Sequence, residues 1–312
     1  MNPETTIVSA CDRNFLWGAF LLAASAARHI PGVPVHILQT GFTDQDAAYF
    51  EQLPDVRLIR LGDDDPRNVA NRKSEAILTG ETEYIAWLDA DCMVVGDIRP
   101  LLKPVNGEFQ IRLRESRENA WVWRNHYATG EARGGVPASV LACWKNDVAQ
   151  LEAPAINTAC VTNSFVLHRR HLDFIRQWKS QIAKVIPPVH AGVVDKSSPA
   201  YFMTDESVFT SLLAFSSLAP PIGEMRLDRD PKAHVAHFGA NPKPWKRWRK
   251  PFWYCHRPVL DLIDWLQASG KPVPPIPWSF KRSSTPFAWT IAQGEAIYSQ
   301  SRTLAGNLLR KN

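Results

Sequence analysis

Asp89-Ala90-Asp91 follows directly on the apolar run 84–88, YIAWL. On extended backbone, side chains two residues apart project to the same side, so both carboxylates can face one point beyond a strand end. Two converging carboxylates repel, and a divalent cation relieves that repulsion. Oxygen ligands that leave positions for water or phosphate suit Mn²⁺ or Mg²⁺. Surface turns are also rich in Asp, so the triplet alone is weak. A second segment runs His237-Phe238-Gly239-Ala240-Asn241-Pro242-Lys243-Pro244-Trp245. Its imidazole could complete a site with two carboxylates and would tilt the choice towards Mn²⁺. Lys243 is a point charge suited to a diphosphate. Gly239 permits close backbone approach, while Pro242 and Pro244 stiffen the loop. A histidine ahead of a loop can equally be structural, and only the joint occurrence favours a site.

The surrounding elements must bring these segments together. Residues 5–10, 35–39, 56–61 and 84–88 read as strands, with helical patterns over 15–29, 44–53 and 68–79 between them. This βαβαβαβ order predicts an α/β fold with a parallel sheet, which binds ligands at the carboxyl ends of its strands. The loops 11–14, 40–43, 62–65 and 89–91 then share one edge. Asp12 and Asn14 sit there, although 12–14 also reads as a helix-capping turn. Arg72 and Lys73, near the start of the helix before the Asp89 strand, are candidates for a diphosphate or sugar, or a solvated face. Asp63-Asp64-Asp65 reads as a solvated loop. Neither G-x-G-x-x-G nor G-x-x-x-x-G-K-[ST] is present, so phosphate must be held another way. Residues 112–154 are of mixed character and predict a cover over a site or a loosely ordered stretch. Residues 161–167 and 235–238 read as strands, and 171–185 and 205–215 as helices.

Composition excludes several classes. With 45% hydrophobic residues, 12 Trp and 14 Phe, the chain can fill a core and is not a disordered polymer. No apolar run reaches the ~18 residues needed to cross a bilayer. Five scattered cysteines without a C-x-x-C pair argue against a disulfide framework or zinc ribbon and for a reducing compartment. Residues 15–27 resemble a signal peptide in length, but Glu4 and Asp12 precede them, so a buried first helix and a cytoplasmic chain are expected. The net charge of +5 suits an acidic partner. Beyond Lys243, the basic residues Lys246, Arg247, Arg249, Lys250 and Arg257 alternate with Trp245, Trp248, Phe252, Trp253 and Tyr254. These could meet an anionic membrane surface, placing the protein peripherally at its inner face, or cover the core; single-stranded nucleic acid is disfavoured. The compositional shift predicts a catalytic domain over 1–250 and a basic, aromatic extension over 251–312.

In this order the motifs resemble the retaining glycosyltransferases of family 8, which include glycogenin and lipopolysaccharide galactosyltransferases. The resemblance rests on Cys11-Asp12-Arg13-Asn14-Phe15, Asp89-x-Asp91, Asn163-Ser164, Asp205-Glu206 and H-x-x-x-x-x-K-P-W from His237, and covers roughly residues 5–248. It implies a GT-A-like fold, a mixed, mainly parallel sheet flanked by helices, and transfer of a sugar from a nucleotide diphosphate donor, a UDP-sugar, to a glycan or lipid-linked hydroxyl with retention. Asp89, Asp91 and His237 would hold the metal. Asp12 and Asn14 would contact uracil and ribose; Arg72, Lys73, Ala90, Gly239 and Lys243 complete the nucleotide-sugar contacts. Asn163 and Asp205 would hold sugar hydroxyls and, with Lys243, form the catalytic set; Asn163 could otherwise satisfy buried backbone and Asp205 start a helix. The chain departs from the family where H-x-x-G becomes His237-Phe238-Gly239-Ala240, D-Q-D becomes Asp205-Glu206-Ser207, and N-[SA]-G becomes Asn163-Ser164-Phe165. Two alternatives remain: a haloacid-dehalogenase-type phosphohydrolase with Asp89 as nucleophile, and a non-catalytic nucleotide- or lipid-binding protein of the same fold.

Overall fold

The computed structural model describes residues 4–62, 67–104, 109–127, 134–188, 194–195, 197–227, 230 and 232–309. Its strands are β1 (Thr5–Asp12), β2 (Val35–Thr40), β3 (Val56–Arg60), β4 (Tyr84–Leu88), β5 (Cys92–Val94), β6 (Phe109–Leu113), β7 (Cys160–His168), β8 (Ile222–Gly223) and β9 (Val235–His237). Seven of them form one sheet in the order β3-β2-β1-β4-β7-β6-β8. Only β7 runs against the others; β5 and β9 make a separate antiparallel pair. The fold is therefore the mixed, mainly parallel α/β sheet that the strand and helix alternation predicts.

Successive residues of the central strands feed opposite cores. Ile7, Ile37, Ala86 and Leu88 face one cluster, and Val8, Leu38, Ile85 and Trp87 the other. Both faces are covered, which is why these strands read as continuous apolar runs rather than as alternating ones. On the first face lie α1 (Leu16–His29) and α2 (Asp44–Glu51). Residues Trp17 to Ala26 of α1 are all buried, so this helix is apolar on every side, as the sequence suggests. Ser25 Oγ accepts Val94 N–H at 3.0 Å and ties α1 to β5. On the second face, α3 (Lys73–Ile77), α4 (Ser116–Tyr127), α5 (Ala138–Val148), α6 (Leu172–Val185) and α7 (Thr204–Phe215) follow in chain order. Phe209 of α7 meets Phe165, Phe174 and Trp178 with ring centres 4.5 to 5.5 Å apart.

Three expectations change. The helix over 68–79 is shorter: Asn68 Oδ1 accepts Ala70 N–H and starts a 3₁₀ turn, Val69–Arg72, and α3 follows as five residues. An N-capping side chain tightens that first turn and leaves little length for the helix. Residues 112–154, expected as a cover over a site or a loosely ordered stretch, contain the helices α4 and α5. Lastly, the aromatics after Lys243 do not form a lipid-facing surface. Trp245 and Trp248 are buried, and Phe252, Trp253 and Tyr254 pack partly buried beside them. The chain continues through α8 (His256–Ala268) to α9 (Thr285–Leu309), whose Val259, Leu262, Ile263, Ala288 and Ala292 join the α1 core. Burying apolar rings against α1 outweighs leaving them at an interface, at roughly 25 cal/mol per Å² removed from water. The aromatics that do stay exposed, such as Phe287 and Tyr298, lie further along the chain. Asp63, Asp64 and Asp65 lie outside the described residues. Among the described residues, no helix is long and apolar enough to cross a membrane. All five cysteines are free, and Cys11, Cys92, Cys160 and Cys255 are buried.

One close approach locks α1 to the Asp89–Asp91 loop. A Cβ on Gly18 would lie 2.5 Å from Ala90 O and 2.7 Å from the Trp245 ring. Gly18→Ala gains about 1 kcal/mol of helix propensity but must displace backbone, a strain of about 1–3 kcal/mol. We expect net destabilisation, seen as a melting temperature several degrees lower by calorimetry; an unchanged or raised value would mean that the loop yields.

Candidate active site

The carboxyl ends of β1 and β4 open on a cleft of about 510 Å³ lined by both, within the usual range of small-molecule sites. Asp89 and Asp91 lie in a tight turn between β4 and β5. Asp89 N–H donates to Asn163 O of β7 at 2.8 Å, and Cys92 N–H donates to Asp89 O at 2.9 Å. Antiparallel pairing then sets Cys92 opposite His237, and Phe238 N–H donates to Asp91 O at 2.8 Å. The short β5–β9 ladder is thus what brings a histidine some 146 positions later (237 less 91) beside the two aspartates. Asp89, Asp91 and His237 each offer one ligand atom, all within 4.8 Å of one another. His237 Nε2 lies 3.3 Å from Asp91 Oδ1 and 4.0 Å from Asp89 Oδ2. Gly239 is required here, because a Cβ would stand 2.6 Å from His237 Cε1. The family's glycine one position later is thereby replaced by one that lets the ring lie against the loop.

Two buried lysines neutralise the carboxylates. Lys243 Nζ pairs with Asp91 Oδ2 and donates to Phe238 O at 2.8 Å. Lys73 Nζ stands 3.0 Å from both Asp89 Oδ1 and Asp205 Oδ2, and 3.3 Å from Thr162 O and Oγ1. Burial alone would raise Asp91, but the His237 hydrogen bond and charge, with Lys243, hold it well below the usual carboxylate range. Asp89 goes the other way, since burial and the Asp91 charge outweigh Lys73 and raise it. Burial would lower both Lys73 and His237, and their carboxylate neighbours instead raise them. The site therefore holds alternating charge in a low-dielectric cleft.

This donor set fits a divalent ion: two carboxylate oxygens and an imidazole nitrogen converge from two strand ends. The histidine's far side supports the fit. Asn163 Nδ2 lies 3.1 Å from His237 Nδ1 while Asn163 Oδ1 is buried without a partner. Half a turn of that amide gives Oδ1 the Nδ1–H of His237 and leaves Nε2 as the ligating atom.

The remaining expected residues divide. Asp12, Ala90, Asn163, Asp205, Gly239 and Lys243 line the cleft with the metal trio and Lys73. Asp12 also accepts Asn14 N–H at 2.8 Å, so the capping turn is formed, and the exposed Asn14 side chain donates to Asp12 Oδ2 at 3.4 Å and does not line the cleft. Arg72 is not brought to the cleft: its guanidinium pairs with Glu75 and donates to Gly62 O at 2.9 Å. Lys73 reaches the cleft, but its ammonium is taken up by Asp89, Asp205 and Thr162 rather than left for a diphosphate. Sequence reasoning missed Arg114 and Glu206, paired at 2.7 Å on the cleft wall. The Glu206 departure from D-Q-D was visible, but its partner Arg114, just past the end of β6, is 92 residues away and carried no motif.

No family model matches the chain, and no curated protein matches it. Solved structures do. The galactosyltransferase LgtC in complex with donor and acceptor sugar analogs superposes with a TM-score of 0.52 at 13% identity, over 87% of this chain and 97% of LgtC. The glycosyltransferase GlyE of Streptococcus pneumoniae TIGR4 gives 0.51 at 12% identity, over 88% of this chain and 65% of GlyE. The bifunctional glycosyltransferase WbbM gives 0.52 at 12% identity, over 78% of this chain and 47% of WbbM. This chain thus spans under two thirds of GlyE and under half of WbbM. The fold is the GT-A glycosyltransferase fold. At these identities the likeness establishes architecture, and the site's chemistry rests on the residues above.

Asn163→Ala removes the His237 Nδ1 partner without touching the ligand atoms. We expect a 10- to 100-fold loss of Mn²⁺ affinity, on the order of other losses of such orienting contacts, with an unchanged circular dichroism spectrum. Metal titration by calorimetry reads it.

Proposed function

We propose that the protein is a metal-dependent glycosyltransferase that moves a sugar from a nucleotide diphosphate donor, a UDP-sugar, to a hydroxyl of a glycan or lipid-linked glycan, with retention. The observation that carries this reading is the convergence of Asp89, Asp91, His237 and Lys243 at the carboxyl edge of a GT-A sheet. Two carboxylates and an imidazole lie within 4.8 Å of one another beside a buried ammonium, a set that suits a divalent ion and a diphosphate together.

Asp89, Asp91 and His237 would hold Mn²⁺ or Mg²⁺, which supplies Lewis acidity towards the diphosphate. The chain's own residues do the rest. Asp12, at the end of β1, accepts from the nucleoside. Lys243, already within the cleft, is the cation that offsets charge developing on the departing diphosphate. Asp205 and Asn163 face the sugar, with Asp205 Oδ2 held by Lys73 and Thr162. Breaking the anomeric carbon–oxygen bond sends its electron pair to the diphosphate. The acceptor oxygen then bonds to the same face of the anomeric carbon while its proton passes to the departing phosphate oxygen. The phosphohydrolase alternative is not favoured, because the fold is that of glycosyltransferases. We further propose that residues 1–250 carry the catalysis and 251–312 brace α1.

A panel of nucleotide sugars with Mn²⁺, scored for slow donor hydrolysis without acceptor, tests the reading. One UDP-sugar should be hydrolysed, and chelation should abolish it. Lys243→Ala should slow that reaction by roughly a hundredfold, about 3 kcal/mol of barrier. Phosphate release from simple monoesters, with every nucleotide sugar left intact, would overturn the assignment.

A further inference from the structure

The two oxygens of Asp89 have different surroundings. Oδ1 accepts Trp87 Nε1–H at 2.9 Å and pairs with Lys73 Nζ at 3.0 Å. Oδ2 is the oxygen 4.0 Å from His237 Nε2. Lys73 cannot easily let go of Oδ1. It is 7% exposed, it also binds Asp205 Oδ2 at 3.0 Å, and its ammonium lies 5.4 Å from the Trp87 ring centre. Turning Oδ1 towards an ion would break two hydrogen bonds, one of them charge-assisted, and leave a buried ammonium short of a partner.

We infer that Lys73 and Trp87 restrict Asp89 to one ligating oxygen, so that Lys73 is a positioning residue that selects a small octahedral ion over Ca²⁺. The inference rests on the metal reading proposed above. Ca²⁺ seeks six to eight oxygens and reaches that number in part through bidentate carboxylates, whereas the small octahedral ions are satisfied by single oxygens and keep water or phosphate in the other positions. Repulsion between the Lys73 charge and a bound cation acts alike on any divalent ion. It therefore cancels in the ratio of two affinities, and denticity does not.

The test is equilibrium titration of the full chain with Mn²⁺, read by the paramagnetic resonance signal of free Mn²⁺, with Ca²⁺ measured by competition. The wild type should prefer Mn²⁺ clearly. Lys73→Met frees Oδ1 and should narrow the Mn²⁺ to Ca²⁺ affinity ratio by about tenfold, the lower end of effects seen for residues that orient a ligand. Trp87→Phe, which keeps a ring but removes the N–H, should narrow it less. Lys73→Arg, which can still donate to Oδ1, should stay near the wild-type ratio. Should Lys73→Met fail to fold, Lys73→Met with Asp205→Asn removes the buried pair together and gives the same readout. A ratio within about twofold of wild type in the folded Lys73→Met or double variant would overturn the inference and leave the metal site standing. A wild type that binds neither ion would overturn both.

Discussion

Two carboxylates two residues apart at the end of a buried strand are the constraint on which this site depends. Taking one unpaired carboxylate out of water costs several kcal/mol even after relaxation, and two together cost more. The chain meets that cost with Lys73, Lys243 and His237, drawn from two separate segments and each in contact with Asp89 or Asp91. Asp205 and Glu206 repeat the pattern with Lys73 and Arg114. The cleft is thus a network of paired charges in which each partner sets the position and protonation of the next. Such preorganised charge has a low reorganisation cost when the substrate's own charge shifts.

The apolar structure serves this network. α1 is buried on every side and presses against the Ala90 carbonyl through Gly18, so the turn bearing Asp89 and Asp91 cannot retreat. Trp245 closes the other side of that contact and meets Phe15 edge to face at 5.8 Å. Trp248 is fully buried, donates to Ser279 O at 2.8 Å, and carries the chain into α8 and α9. The Lys243-Pro244-Trp245 segment accordingly has two roles in adjacent residues: Lys243 charges the cleft, and Trp245 wedges the loop against α1.

Much of the architecture was legible from local pattern. The strands at 5–10, 35–39, 56–61 and 84–88 and the helix at 16–29 stand within two residues of where periodicity sets them, because each is an apolar run bounded by polar or proline-rich turns. Asp89-Ala90-Asp91 was legible for the same reason, since a strand end dictates where its next side chains point. What escaped was short or long-range. β5 and β8 are three and two residues long, too brief to carry a period. The helices α4 and α5 sit in a stretch whose charges and aromatics hide their apolar faces.

The sequence alone determined which residue types could do chemistry and that four strand ends would share an edge; it also held the apolar content that makes a doubly covered sheet stable. Only the tertiary structure decided which cation meets which carboxylate. Lys73 and Arg72 are neighbours with the same charge and the same apparent promise. One turns into the cleft to bridge Asp89 and Asp205, and the other turns away to Glu75 and the Gly62 carbonyl. The tail aromatics posed a similar choice between lipid and core, and the open side of α1 settled it. Periodicity reports the face on which a residue lies, but a buried ion pair joins residues about a hundred positions apart. Its partners are chosen by sheet order and packing, to which no local pattern refers.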